Sequence, residues 1–155
     1  MKKILAVLTL LMTLLLFTAC LGGDKIAGQW IGRTSSLLDM SGGRKVDDIM
    51  VCEIRKNGDS YVMDYHYLVL RNNEWSERYG QKGLGVTLNG NLITVLLPGV
   101  NFNMTYIEKD KTIQVPPMGL HTQTIVVERD DDGKKLEALK TELSNEYQEK
   151  YGNKK

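Results

Sequence analysis

The residues of this 155-residue chain whose types could do chemistry are few: two histidines, two cysteines and one run of three aspartates. Ser60, Asp64 and His66 supply a nucleophile, a carboxylate and a base within seven positions, the side-chain types of hydrolytic catalysis. Their setting argues otherwise. They sit in an alternating apolar stretch that puts Asp64 and His66 side by side on a solvated strand surface, and no G-x-S-x-G elbow or G-x-x-x-x-G-K-[ST] loop occurs. Neither His66 nor His121 lies in an H-E-x-x-H or C-x-x-C context, so no zinc site is expected. Asp130-Asp131-Asp132-Gly133 lacks the alternate spacing of an EF-hand loop and runs directly into Lys134 and Lys135. Negative charge at a helix start accounts for it better. The chain thus reads as non-enzymatic, with no catalytic residue, no metal site and no cofactor.

The cysteines divide by position. Cys52 lies between Met50 and Ile54 at period two, the pattern of a buried strand residue rather than of a nucleophile. Cys20 ends a different kind of segment. Lys2 and Lys3 precede an uncharged run, Ile4 to Phe17, and then come Thr18, Ala19 and Cys20, in the order of a secretory signal: basic start, apolar core, small residues before a cut.

Phe17-Thr18-Ala19-Cys20 resembles the lipobox of bacterial lipoproteins, with phenylalanine where leucine is usual. The resemblance implies a signal peptide over residues 1–19, a diacylglyceryl thioether on Cys20, and an acylated (palmitate-type) amino terminus. Two other readings of the segment stay open. Ile4 to Leu21 reaches the lower edge of membrane-spanning length, and an ordinary cut would leave Cys20 unmodified. All three put the rest of the chain outside the cytoplasm. Leu21, where aspartate commonly signals inner-membrane retention, implies the periplasmic face of the outer membrane in a Gram-negative host.

Removing residues 1–19 leaves 136, enough for one domain with a sizeable core. That mature chain has 18 basic and 19 acidic side chains, a near balance that carries no nucleic-acid footprint. With Cys20 lipidated, Cys52 has no disulfide partner, so the core must hold unaided. Residues 20–24 form a short tether, and a single β domain is expected over 25–155.

The elements that position these residues are short strands. Val46 to Arg55 and Tyr61 to Leu70 flank Asn57-Gly58, a strong hairpin signal. A loop of those two residues pairs Ile54 with Tyr61, Cys52 with Met63 and Met50 with Tyr65 on one apolar face. The other face receives Glu53 with Val62, Val51 with Asp64 and Ile49 with His66. Asn89-Gly90 predicts a second hairpin, Gly80, Gly83 and Gly85 loosen the segment before it, and Pro116-Pro117 ends the strand Thr112 to Val115. A last strand is expected from about His121 to Arg129. Eight or nine strands predict an antiparallel meander, closed into a small barrel or folded into a sandwich so that its edges are protected. From Asp132 the apolar period becomes helical through Leu136, Leu139, Leu143 and Tyr147, predicting an amphipathic helix over about 132–151, N-capped by Asp132, lying as a lid or buttress on the sheet.

Gly28-Gln29-Trp30 resembles the G-x-W of lipocalins and calycin-like barrels, whose tryptophan closes the barrel floor. That resemblance implies a mainly β, lipocalin-like fold with an interior able to hold one small ligand. The candidate interior face is Trp30, Met50, Cys52, Ile54, Tyr61, Met63, Tyr65, Phe102, Met104 and Tyr106. Thioethers and phenols suit a pocket for an apolar or amphipathic molecule, and they suit a plain core as well. The alternative partner is an envelope protein bound outside the barrel, as in inhibition of a wall-degrading enzyme such as lysozyme.

Overall fold

A computed structural model describes residues 24–35, 46–117 and 123–152. The expected signal, lipobox, Cys20 and most of the tether lie outside the described residues, as does His121. Eight strands follow one another: β1 Gly28–Thr34, β2 Asp48–Asn57, β3 Ser60–Arg71, β4 Glu74–Asn89, β5 Leu92–Leu97, β6 Val100–Ile107, β7 Thr112–Val115 and β8 Ile125–Arg129. Helix α1 covers Lys134–Tyr151. Each strand pairs antiparallel with the next, and β8 returns to β1 through Trp30 opposite Arg129 and Ile31 opposite Glu128, closing the barrel. Gly32 permits that seam, since a Cβ there would lie 2.5 Å from the Val126 carbonyl oxygen.

The β2–β3 hairpin has the expected faces and a different register. Asn57 pairs with Ser60, so the loop is Gly58-Asp59, and Ile54, Cys52 and Met50 oppose Met63, Tyr65 and Tyr67 instead of Tyr61, Met63 and Tyr65. Gly58 adopts φ 62°, a left-handed conformation glycine takes freely, and it occupies the first loop position. The shift is two residues, so every side chain keeps its face. On the outside Glu53 now opposes Asp64, Val51 opposes His66 and Ile49 opposes Leu68. Asn89-Gly90 behaves alike: Asn89 pairs with Leu92 and Gly90 opens the loop at φ 61°.

β4 is continuous through its glycines. Its register against β3 shifts around Tyr65, and a Cβ at Gly80 would lie 2.9 Å from the Tyr65 carbonyl oxygen, so glycine lets the two strands bend together.

Two apolar cores result. The interior one joins Ile26, Trp30, Met50, Ile54, Met63, Ile93, Met104 and Val127. The second lies outside the barrel, where Leu143 and Tyr147 of α1 cover Ile31, Ile49, Val51 and Leu70. This explains why β2 is buried on both faces along its first half, where an apolar and a polar face were expected. Each fully buried side chain of this kind contributes roughly 1.5–3 kcal/mol, so the helix is fixed to the wall as a buttress.

The helix cap differs from expectation. Gly133 takes the N-cap position at φ 73°, and the buried Asp130 carboxylate accepts from the Lys135 and Leu136 amides, each at 2.9 Å. Asp132 instead pairs with Lys134. Because Asp130 directly follows β8 and its amide donates to the Gln29 carbonyl, the cap is joined to the barrel seam.

Candidate functional site

One end of the barrel is sealed by the chain's own start. Asp24 to Ala27 crosses beneath the strands and places Ile26 inside, where it and Trp30 are 0% exposed. The Trp30 indole N–H donates to the Ile26 carbonyl at 2.8 Å. The Arg129 guanidinium lies 4.9 Å from the Trp30 ring centroid and donates to the Asp24 and Lys25 carbonyls at 3.0 and 3.1 Å. Tyr61 donates its hydroxyl to Asp24 at 3.0 Å, while Tyr106 meets Trp30 edge to face and lies under Lys25. Burial alone would raise the Asp24 carboxyl, but hydrogen bonds from Ile26, Tyr61 and Ala27 and the charge of Lys56 outweigh it and hold it below the ordinary value. Trp30 thus lies buried at this end of the barrel, directly against the strap.

The ten candidate interior residues all pack in or against one cluster. Met50, Cys52, Ile54, Met63 and Met104 are 2% exposed or less, so this part of the interior is closed off from solvent. Tyr61, Tyr65 and Phe102 are only partly buried, together with Leu88 and Leu97. Tyr61 and Leu88 belong to the sealed base. Tyr65, Leu97 and Phe102 lie elsewhere, and strand pairing explains their exposure. β4 pairs with β3 over almost its whole length, but with β5 only from Gly85 onward, because β5 ends at Leu97. Among the described residues the wall therefore has a notch, with Tyr65 on the β3–β4 side and Leu97 and Phe102 on the β5–β6 side.

The polar atoms near the notch are phenols. Tyr65 and Tyr67 meet edge to face at 6.1 Å. Burial raises both hydroxyls above the ordinary tyrosine value, with the neighbouring Cys52 adding to it. The Cys52 thiol is itself pushed up to about 12 by burial. These groups are neutral at physiological pH, and Tyr65 is the more exposed of the two phenols. Period two along β3 assigns Tyr67 to the same face as Tyr65, so the alternation already contained it; Arg129 and the Asp24–Ala27 strap had no signal in the sequence.

No family model, curated protein or solved structure matches this chain.

The other chemistry-bearing residues are separated or engaged. Ser60 and His66 stand six residues apart on one strand, roughly 20 Å at the usual rise, so they do not meet. Ser60 donates to the Asn57 carbonyl at 3.0 Å, and His66 lies 3.4 Å from Glu77. Asp64 accepts from the Gly83 amide and pairs with Arg55, which together keep its carboxyl below the ordinary value. Asp130 caps the helix, Asp131 accepts from the Gln29 amide and Asp132 pairs with Lys134. No three of the described histidine, cysteine and acidic side chains are grouped to hold a metal ion.

A cleft of about 480 Å³ lies outside the sealed base between Lys25, Tyr106, Lys111, Glu128, Arg129 and Lys135. Two of its cations are paired with acids, Lys25 with Glu108 at 2.6 Å and Lys135 with Glu128 at 2.7 Å. No described helix is long and apolar enough to cross a membrane.

Proposed function

We propose that this protein is an envelope lipoprotein, anchored through Cys20, whose barrel is a non-enzymatic binding module for a small apolar or amphipathic molecule taken at the notch between β4 and β5. The supporting observation is the uneven filling of one apolar interior. Its base is sealed and solid, while Tyr65, Leu97 and Phe102 remain half-buried where the wall is incomplete. An apolar site with one phenol, Tyr65, at its edge suits a molecule with an apolar body and one polar group. The ten-residue interior face then divides in role: Trp30, Ile54, Tyr61 and Tyr106 belong to the floor, Met50, Cys52, Met63 and Met104 back the site, and Tyr65 and Phe102 touch the ligand. In a Gram-negative host Leu21 directs the protein to the outer membrane, on its periplasmic face.

Titration with an apolar fluorescent probe tests this reading. Phe102→Ala and Tyr65→Ala are expected to weaken probe binding several-fold, while Leu143→Ala under the helix leaves it unchanged in protein that remains folded. Equal affinity in all three variants would place the probe elsewhere.

A further inference from the structure

From Gly83 to Ile107 the chain has no charged residue over 25 positions, although a quarter of its side chains are charged. The barrel assembles this stretch into one outer wall, made of the end of β4 with β5 and most of β6, uncovered by α1. Thr87, Leu92, Thr94, Leu96, Asn103 and Thr105 face outward there. Leu92 and Leu96 are 43% and 46% exposed. Along β5 the two leucines are about 13 Å apart at ~3.3 Å per residue, so they form a ridge, not one isolated side chain. The polar groups between them are partly satisfied within the wall: Thr94 donates to its cross-strand neighbour Asn103 at 3.0 Å. The helix side is the reverse, with Arg33 bound to Asp47, Glu142 and Glu146.

The start of the described chain indicates what covers this wall. Lys25 contacts the Gly90 carbonyl and the Asn91 side chain, which form the β4–β5 turn at the wall's lower corner. Asp24 is fixed to the barrel floor, so Cys20 is at most about 14 Å of extended chain away at ~3.6 Å per residue. We infer that the uncharged outer wall of β4, β5 and β6 lies against the lipid bilayer to which Cys20 anchors the protein, with Leu92 and Leu96 in the interfacial layer. The inference rests on the lipid at Cys20 and is independent of the ligand at the notch. Two half-exposed leucines bind a bilayer weakly alone; a tether this short raises their effective concentration enough to hold the wall down. Since no charge takes part, docking is indifferent to salt and needs no anionic lipid.

The test uses the lipidated full-length protein in phosphatidylcholine vesicles, with a nitroxide attached through Thr94→Cys on the wall or Glu149→Cys on the helix. The buried, high-pKa Cys52 and the acylated Cys20 leave the introduced thiol as the labelling site. The wall label is expected to be several-fold more accessible to oxygen than to a water-soluble nickel chelate, and the helix label the reverse, at low and high salt alike. Adding Leu96→Asp should return the wall label to water while the protein still floats with the vesicles. Equal water access at both labels in floating protein would overturn the docking and leave the anchor standing. Dipolar broadening between wall labels that grows with protein density would replace the bilayer by a second copy or crowded partner. Protein that fails to float would remove the anchor and the inference with it.

Discussion

Arg129 lies over the ring of Trp30 at 4.9 Å and, from the same guanidinium, donates to two carbonyls of the strap at Asp24 and Lys25. One side chain therefore joins the last strand, the first strand and the segment that leads to the anchor. Hydrogen bonds from a charged donor and the cation–π contact together put the expected cost of Arg129→Ala at about 3 kcal/mol. Arg129→Lys should recover only part of it, because an ammonium cannot span both carbonyls while lying flat on the indole. Urea unfolding checks the order: alanine worst, lysine intermediate.

The helix cap makes a second contrast. Asp130→Ala should destabilise the fold by about 1–2 kcal/mol, since two first-turn amides lose their acceptor. Asp132→Ala, which removes an exposed ion pair with Lys134 and one bond from the Lys134 amide, should cost clearly less than Asp130→Ala. Unfolding midpoints in the opposite order would return the cap to Asp132.

These two sites show what the sequence contained and what it did not. Period two assigned β2 and β3 their inner faces correctly, because Met50, Cys52, Ile54, Met63 and Tyr65 keep their parity under a two-residue slip. The register itself was decided by which residue of Asn57-Gly58-Asp59 takes the left-handed position, a choice the dipeptide leaves open. Ile49 and Val51 read as part of a polar face because the residues that cover them, Leu143 and Tyr147, lie some ninety positions away. Asp24 was counted with the tether, and only the folded barrel brings Tyr61 and Arg129 to it. The notch arises from unequal hairpin lengths, visible once β4 is known to run through its three glycines.

Burial of Cys52 makes a chemical prediction. With its thiol pushed up to about 12 from 9.0, native protein should resist thiol reagents at pH 8 and react promptly once unfolded in urea. Rapid stoichiometric modification of the native state would mean that the interior opens at Cys52.

The same shift sets an alkaline limit. The unfolded thiol loses its proton near pH 9 while the folded one keeps it to about 12, so stability is full below pH 9 and falls as pH rises through that window. Tyr65 and Tyr67, also raised, add to the fall above pH 10. Cys52→Val should remove the first part of the decline and leave the tyrosine part. A stability profile unchanged between pH 8 and 11 in the parent protein would contradict the burial.

The most direct measurement of the binding reading is native mass spectrometry of the lipidated protein, purified from its own envelope in mild detergent. The account predicts a population carrying one additional small molecule beyond the acyl chains, lost in Phe102→Ala. A bare mass in every charge state, with the parent and Phe102→Ala proteins indistinguishable, would contradict it.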